Sequence, residues 1–309
     1  MDRIGRVAAV AVLVSSTVVA AAGVPPHRIT PSGSTAGPGR VVGPDVRSNM
    51  ALVIDTEQGV TLYAKQPDKV APIASITKLM TAMVVLDIQS PLDEAIEIKR
   101  ADVSTIKQSP SRLPVGARIK RGDLLRVALM ASDNRAAAAL ARSYPGGTAA
   151  CLAAMNSKAR ELGMGSTWFA DPTGLSSKNV SSAEDLALLV VSASRYPMIR
   201  EATTSFYHPV RLSNGRVLEF HNSNRLVGNQ TWDIELSKTG YIEEAGRCLV
   251  MKSTIAARQV VIILLNSWGK YTRLGDASRI RKWMEATSHT PGPARDAVSP
   301  ATPGARPRL

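Results

Sequence analysis

The chain has 309 residues, 44% apolar and 20% charged, and 38 Lys and Arg against 25 Asp and Glu leave a formal net charge of +13. That length suits one large domain or two small ones, and the basic balance points to an anionic partner: a nucleic acid, an acidic polymer or a membrane surface. Only 4% of residues are aromatic, and no basic–aromatic interleaving of the kind that stacks bases is visible, which argues against nucleic acid.

In chain order, "MDRIGR" carries two arginines and is followed by the apolar "VAAVAVLVSSTVVAAAG", with the small residues Ala20-Ala21-Ala22 before Gly23. This reads as a secretory signal over 1–22, the alternative being an uncleaved anchor. A working place outside the cytoplasm is the expectation. A Pro/Gly/Ser-rich linker is expected over 23–46 and a basic, proline-rich tail over 287–309. Between them, "NMALVID" and "GVTLYAK" flank a short "TEQ" turn and predict a hairpin. A long region of helical pattern follows to about Tyr196. It includes "GDLLRVALMAS", "NRAAAALARSY" and "SAEDLALLVVSAS", the last opening on Ser182 and Asp185 much as a capping box does. Strand patterns return in "IELSKTGYI", "RCLVMKSTI" and "RQVVIILLNS", and an amphipathic helix, "DASRIRKWMEA", closes the domain. Strands at both ends with helices between predict one antiparallel sheet and an inserted helical region, an α+β fold.

Two cysteines, Cys151 and Cys248, leave two readings open, one bridge or two buried thiols. Neither has a CxxC neighbour and no histidine pair has ligand spacing, so no metal site and no cofactor are expected.

In "PIASITKLMTAMVVL", Ser75 and Lys78 stand one helical turn apart at the start of an apolar run. They share a helix face. Either the lysine activates the serine, or it snorkels out to water. A lone SxxK is weak, and Ser104 with Lys107 and Ser267 with Lys270 also fit it. "ASDNRAA" places Ser132 and Asn134 two apart between two helical runs, where Ser, Asp and Asn also serve as helix caps. "SKTGYI" is the only K-[ST]-G in the chain, and it puts Gly240 inside a predicted strand. Glycine there permits close approach of a ligand or backbone, or marks a bulge.

SxxK, SxN and KTG in this order, at a helix start, an interhelix loop and a strand, form the signature of penicillin-binding proteins and class A β-lactamases. The stretches "SITKLMTAMVVLD", "MASDNRAAAALARSYPGG", "AMNSKARELGM", "DPTGLSSKNVSSAEDL", "FHNSNRLV", "KTGYIEEAGRCLVM" and "SWGKYTRLGDASRIRKW" carry the likeness further. Over residues 48–286 the chain resembles the low-molecular-mass penicillin-binding proteins of the D-alanyl-D-alanine peptidase family, serine peptidase family S11, and within it the endopeptidase type. Larger carboxypeptidases of the family carry a second β-rich domain and an amphipathic anchor, for which this chain ends too soon.

The resemblance implies a β-lactamase/transpeptidase-like fold with an antiparallel sheet of about five strands. It implies peptidoglycan stem peptides as substrate and β-lactams as covalent inhibitors. Ser75 is the implied nucleophile and Lys78 its base, its pKa lowered by burial and by nearby Lys238. Ser132 would relay a proton to the leaving amine, and Asn134 would hold a substrate amide. Lys238 and Thr239 would bind the substrate carboxylate, with Gly240 letting the peptide lie on the strand. The backbone N–H groups of Ser75 and Tyr241 would form the oxyanion hole. A D-alanyl-D-alanine carboxypeptidase and a non-catalytic wall-binding or penicillin-sensing protein are the rivals, and the basic charge suits a wall or membrane surface. Asp171, Pro172, Thr173 and Gly174 are expected to shape a loop under the site. Asn222 and Asn224 either reach the cleft or bond their own loop. Trp232, Trp268 and Trp283 are read as packing.

Overall fold

The computed structural model describes residues 43–107 and 110–288. The expected signal, nearly all of the expected linker and all but two residues of the expected tail lie outside these.

The chain enters with Pro44 and Val46 already buried, and β1 (Met50–Asp55) and β2 (Val60–Lys65) then pair antiparallel as the hairpin pattern predicts. After β3 (Ala71–Pro72), a 3-10 turn over Ala74–Ile76 runs into α1 (Thr77–Asp87). The short strands β4 (Ala95–Glu97) and β5 (Arg118–Lys120) pair with each other. Four helices come next: α2 (Arg121–Met130), α3 (Asn134–Arg142), α4 (Gly147–Glu161) and, beyond the two-residue strand β6 (Val180–Ser181), α5 (Ala183–Ala193). Helix α6 (Pro197–Thr204) has proline in its first turn, where the missing N–H costs nothing. The ribbon β7 (Tyr207–Arg211) and β8 (Val217–His221) leads to β9 (Asp233–Ile242), β10 (Gly246–Ile255), β11 (Arg258–Ser267) and α7 (Thr272–Ser288).

The main sheet has five strands in the order β2-β1-β11-β10-β9, all antiparallel. It is built from both ends of the chain, with everything between β2 and β9 inserted, as the strand patterns predict. Alternation along β10 sends Cys248 and Val250 to one face and Leu249 and Met251 to the other. The first face packs on α5 and the inserted helices, the second on α7. Both faces are therefore dry, which accounts for the unbroken apolar run of β11. Strand β9 lies at the sheet edge, so one side of its backbone is left without a strand partner.

Helix α1 is the hub of the helical layer. Every residue from Thr77 to Val85 is buried, the pattern of a helix surrounded on all sides. Helix α5 is capped by the Ser182 hydroxyl, which accepts from Asp185 N–H at 3.1 Å. The Asp185 carboxylate does not return that bond as a capping box would; it accepts from Ser166 N–H and Thr167 Oγ1, both at 2.7 Å. It ties down the preceding loop instead.

Cys151 on α4 and Cys248 on β10 are both buried and both free. Burial pushes their thiols up to about 12 and about 11, away from the reactive thiolate. Neither cysteine should therefore react with a thiol reagent in the native protein, and both should react after denaturation. Rapid native labelling, read by mass spectrometry, would contradict this packing.

Candidate active site

The three motifs converge. Lys78 does not snorkel: it is 1% exposed, inside the all-buried surface of α1. Its Nζ lies 2.8 Å from Ser75 Oγ, 2.5 Å from Asn134 Oδ1 and 2.5 Å from the Thr173 carbonyl oxygen. The two carbonyl oxygens can only accept, whereas the Ser75 hydroxyl can donate as well. A neutral Lys78 that donates its two hydrogens to Asn134 and Thr173 thus turns its lone pair toward the Ser75 proton. Burial lowers Lys78 to about 7, against the upward pull of Asp171 and Asp133.

On the opposite wall, Lys238 is also 1% exposed, and its Nζ donates to Ser132 Oγ at 2.8 Å and to the Thr239 carbonyl at 3.0 Å. Its pKa is pushed well below the ordinary lysine value by burial and then by the charge of Lys78. Burial is the main cause at both lysines, and like charge between the two acts in the same direction, as expected.

The backbone explains why these side chains meet. Ala74 and Ser132 both have positive φ, 48° and 61°. For residues with a Cβ such angles cost of order 1–3 kcal/mol and persist only where the surroundings enforce them. The Asp133 carboxylate caps α3 by accepting from Ala136 N–H at 2.9 Å. The capping reading of this loop is correct for Asp133, while the residues on either side, Ser132 and Asn134, reach the two lysines.

Glycines bring the remaining layers close. A Cβ on Gly240 would stand 2.9 Å from the Ile73 carbonyl oxygen and 3.1 Å from Ser75 N. Strand β9 therefore lies directly against the Ser75 turn, and the Tyr241 backbone follows immediately. From below, Gly174 with φ +84° is closer still, since a Cβ there would fall 2.1 Å from the Ala74 carbonyl oxygen. Its loop is built by Asp171, whose carboxylate accepts from Thr173 N and Oγ1, Gly174 N, Ser176 N and Asn179 Nδ2 at 2.5–2.9 Å. The loop reading of residues 171–174 thus fits, with one addition: its Thr173 carbonyl is a direct ligand of Lys78.

Ser223 was not singled out by the sequence. Its hydroxyl accepts from Thr239 Oγ1 at 2.7 Å. Its neighbours bond backbone: within the loop, Asn222 Oδ1 accepts from Asn224 N–H and Asn224 Oδ1 from Leu226 N–H, while the Asn222 amide donates across to the Thr203 and Ser205 carbonyls at the end of α6. The competing SxxK pairs fall apart: Ser267 is buried against Ser48 at 2.7 Å, and Lys107 pairs with Glu244 at 2.5 Å. Trp232 and Trp283 pack on the α7 side of the sheet, but Trp268 is 77% exposed, so the packing reading fails for it. It stands in the turn between β11 and α7, where no layer covers it.

The sequence profile of the S11 peptidases, described as D-alanyl-D-alanine carboxypeptidase, matches residues 38–268. The chain belongs to the S11 peptidase family. A D-alanyl-D-alanine endopeptidase of Pseudomonas aeruginosa is 48% identical over 256 residues, 81% of this chain and 81% of that protein. One from Escherichia coli is 44% identical over 252 residues, again 81% of each. Among solved structures, the Streptomyces K15 DD-transpeptidase superposes with a TM-score of 0.73 at 27% identity, over 79% of this chain and 99% of that one. The five-stranded antiparallel sheet with its inserted helices is accordingly the transpeptidase-type fold implied by the motifs.

Proposed function

We propose that this S11 peptidase is a serine-type D-alanyl-D-alanine endopeptidase that cleaves cross-links in peptidoglycan through an acyl-enzyme on Ser75. The observation that carries the reading is the pairing of Ser75 with a buried lysine lowered to about 7, at 2.8 Å. A serine hydroxyl is a weak nucleophile until a base takes its proton, and a base titrating near working pH is the most effective.

Ser75 Oγ attacks the carbonyl carbon of the D-alanyl bond while its proton passes to Lys78 Nζ. The developing oxyanion takes the backbone N–H groups of Ser75 and Tyr241, which the close approach of Gly240 to Ser75 favours. Ser132, bonded to Lys238, relays to the departing amine the proton that Lys78 took from Ser75, and Asn134, which accepts from Lys78, is the residue assigned to hold a substrate amide. Lys238 and Thr239 receive the carboxylate of the leaving residue. An arriving carboxylate favours the charged form of Lys238, so substrate binding itself restores the cation that burial disfavours. Water then hydrolyses the ester.

β-Lactams acylate the same serine and leave slowly. The carboxylates that act on Lys78 are both occupied, Asp171 by its loop and Asp133 by the α3 cap and Ser111. Neither is placed to activate a second water. The N-terminal sequence supports action outside the cytoplasm, and among the described residues no helix is long and apolar enough to cross a membrane. The net charge of +13 supports attraction to an acidic wall or membrane surface.

The carboxypeptidase reading keeps the description of the family profile in its favour. Digestion of purified muropeptides separates the two. The expected result is conversion of cross-linked dimers to monomers faster than trimming of free pentapeptides. The Ser75→Ala protein should do neither and take no fluorescent penicillin, with an unchanged circular dichroism spectrum. Penicillin labelling of that variant would move the nucleophile elsewhere.

A further inference from the structure

In the proposed mechanism the scissile bond has a fixed direction. Its carbonyl lies at the Tyr241 N–H and its departing amine at Ser132. The acyl half therefore continues along β9 past Tyr241, and the leaving half lies on the Ser132 side. On that side is a cavity of about 240 Å³, lined by Ser132, Asp133 and Asn134 and by Arg112, Phe220 and His221. Both of its flanks lead to the carboxylate subsite: Ser132 accepts from Lys238, and two residues beyond His221 stands Ser223, which accepts from Thr239. A wider hollow of about 570 Å³ shares Arg112 and runs on along β8 to Arg216.

The segment that carries Arg112 is anchored on both sides. The Ser111 hydroxyl donates to the Asp133 carboxylate at 2.8 Å, and Arg135 Nη1 donates to the Leu113 carbonyl. Arg112 itself donates through Nη1 to the Glu219 carbonyl on β8, which ties the catalytic-loop side of the cavity to the ribbon. Among the described residues neither Arg112 nor Arg216 has an acid partner. The acids beside them are engaged: Asp133 caps α3 and holds Ser111, and Glu219 Oε1 accepts from the Tyr207 hydroxyl at 3.1 Å. Arg112 thus keeps spare N–H donors at the mouth of a preformed cavity, and a guanidinium of that kind suits a carboxylate, which it can meet with two parallel bonds.

We propose that this cavity holds the leaving stem of a cross-link and that Arg112 binds a carboxylate of that stem. The assignment rests on the endopeptidase reading and follows from what departs in each reaction. When a free pentapeptide is trimmed, a single D-alanine leaves, and its methyl group needs no space beyond Ser132. When a cross-link is cut, the leaving residue carries the rest of a second stem. That residue places one carboxylate at Lys238 and Thr239, and the stem attached to it brings further carboxylates out on the Ser132 side. Arg112 is the first cation met there, with Arg216 beyond it. The cavity is thus a specificity site for the cross-linked substrate.

The test is steady-state cleavage of a purified cross-linked dimer by Arg112→Gln, in which glutamine retains an N–H donor for the Glu219 carbonyl. The variant should raise KM about tenfold, the scale of a lost charge-assisted hydrogen bond, and move kcat far less, since the contact is made before and during the reaction. Arg112→Lys should recover part of the loss. The second probe is the same dimer amidated at the leaving stem's carboxylates other than the one beside the scissile bond. It should show the raised KM with the wild-type chain, and Arg112→Gln should raise it no further. An unchanged KM, an equal penalty on the free and amidated dimers, or an equal slowing of penicillin acylation overturns the inference. Failure of the wild-type chain to cleave the unmodified dimer would instead count against the endopeptidase reading, so the two fail separately.

Discussion

Replacing Lys78 with methionine should lower the rate of acylation by penicillin at neutral pH by about a thousandfold or more, within the range for loss of a general base. The fold should survive. Methionine is similar in volume and apolar, and removing a buried amine removes its desolvation cost. Against that, Asn134 Oδ1, the Thr173 carbonyl and Ser75 Oγ each lose a partner, at about 1 kcal/mol each. The two effects offset, so stability should change far less than rate.

The same lysine sets the pH dependence. In the native protein the acylation rate should rise about tenfold per pH unit up to about 7 and level off above it, as Lys78 loses its proton. In Lys78→Met that inflection should vanish; its persistence would assign it to another group. The sign for stability follows from linkage. Between about 7 and the ordinary lysine value the unfolded chain holds a proton that the folded one lacks, so this group makes stability rise with pH there. Below about 7 both states are protonated and its contribution is flat.

The second large effect is expected at a residue that takes no part in the chemistry. Gly174→Ala places a Cβ 2.1 Å from the Ala74 carbonyl oxygen and 2.8 Å from Ser75 N, at φ +84°. Both neighbours are backbone, so no side chain can swing aside. The left-handed angle alone costs roughly 1–2 kcal/mol, and the overlap forces the Ser75 turn to move. The expected outcome is a loss of about 2 kcal/mol or more, a drop of about 4–8 °C in the unfolding midpoint. A shift of about 1 Å at the nucleophile would cost about a hundredfold in acylation. A variant with native midpoint and native acylation rate would show that the loop and the turn are not packed as described.

Much of this site was legible because it is made of side chains at fixed spacings. Ser75 and Lys78 are one turn apart, and Gly240 interrupts a strand for a reason the packing now supplies. The sheet was legible because β1, β10 and β11 are buried runs of ordinary strand length. What stayed hidden has no sequence signature. The Thr173 carbonyl is a backbone group that any residue could present. Ser223 is one serine among several in polar loops, and only the path of the chain after β8 sets it beside Thr239. The paired ribbons of two to five residues are too short for a periodic signal. Trp268 misled because indole is normally packed, and its exposure depends on where the β11–α7 turn projects. Cys151 and Cys248 could have been a bridge by compartment alone; in the fold both stand free and buried.

The mechanism depends most directly on the charge state of one nitrogen. Titration of the Lys78 side chain by NMR, with 13C at Cε and 15N at Nζ, should show a midpoint near 7 in the unliganded protein. A midpoint at the ordinary lysine value near 10.5 would leave Lys78 charged at working pH, unable to take the Ser75 proton, and would contradict the mechanism.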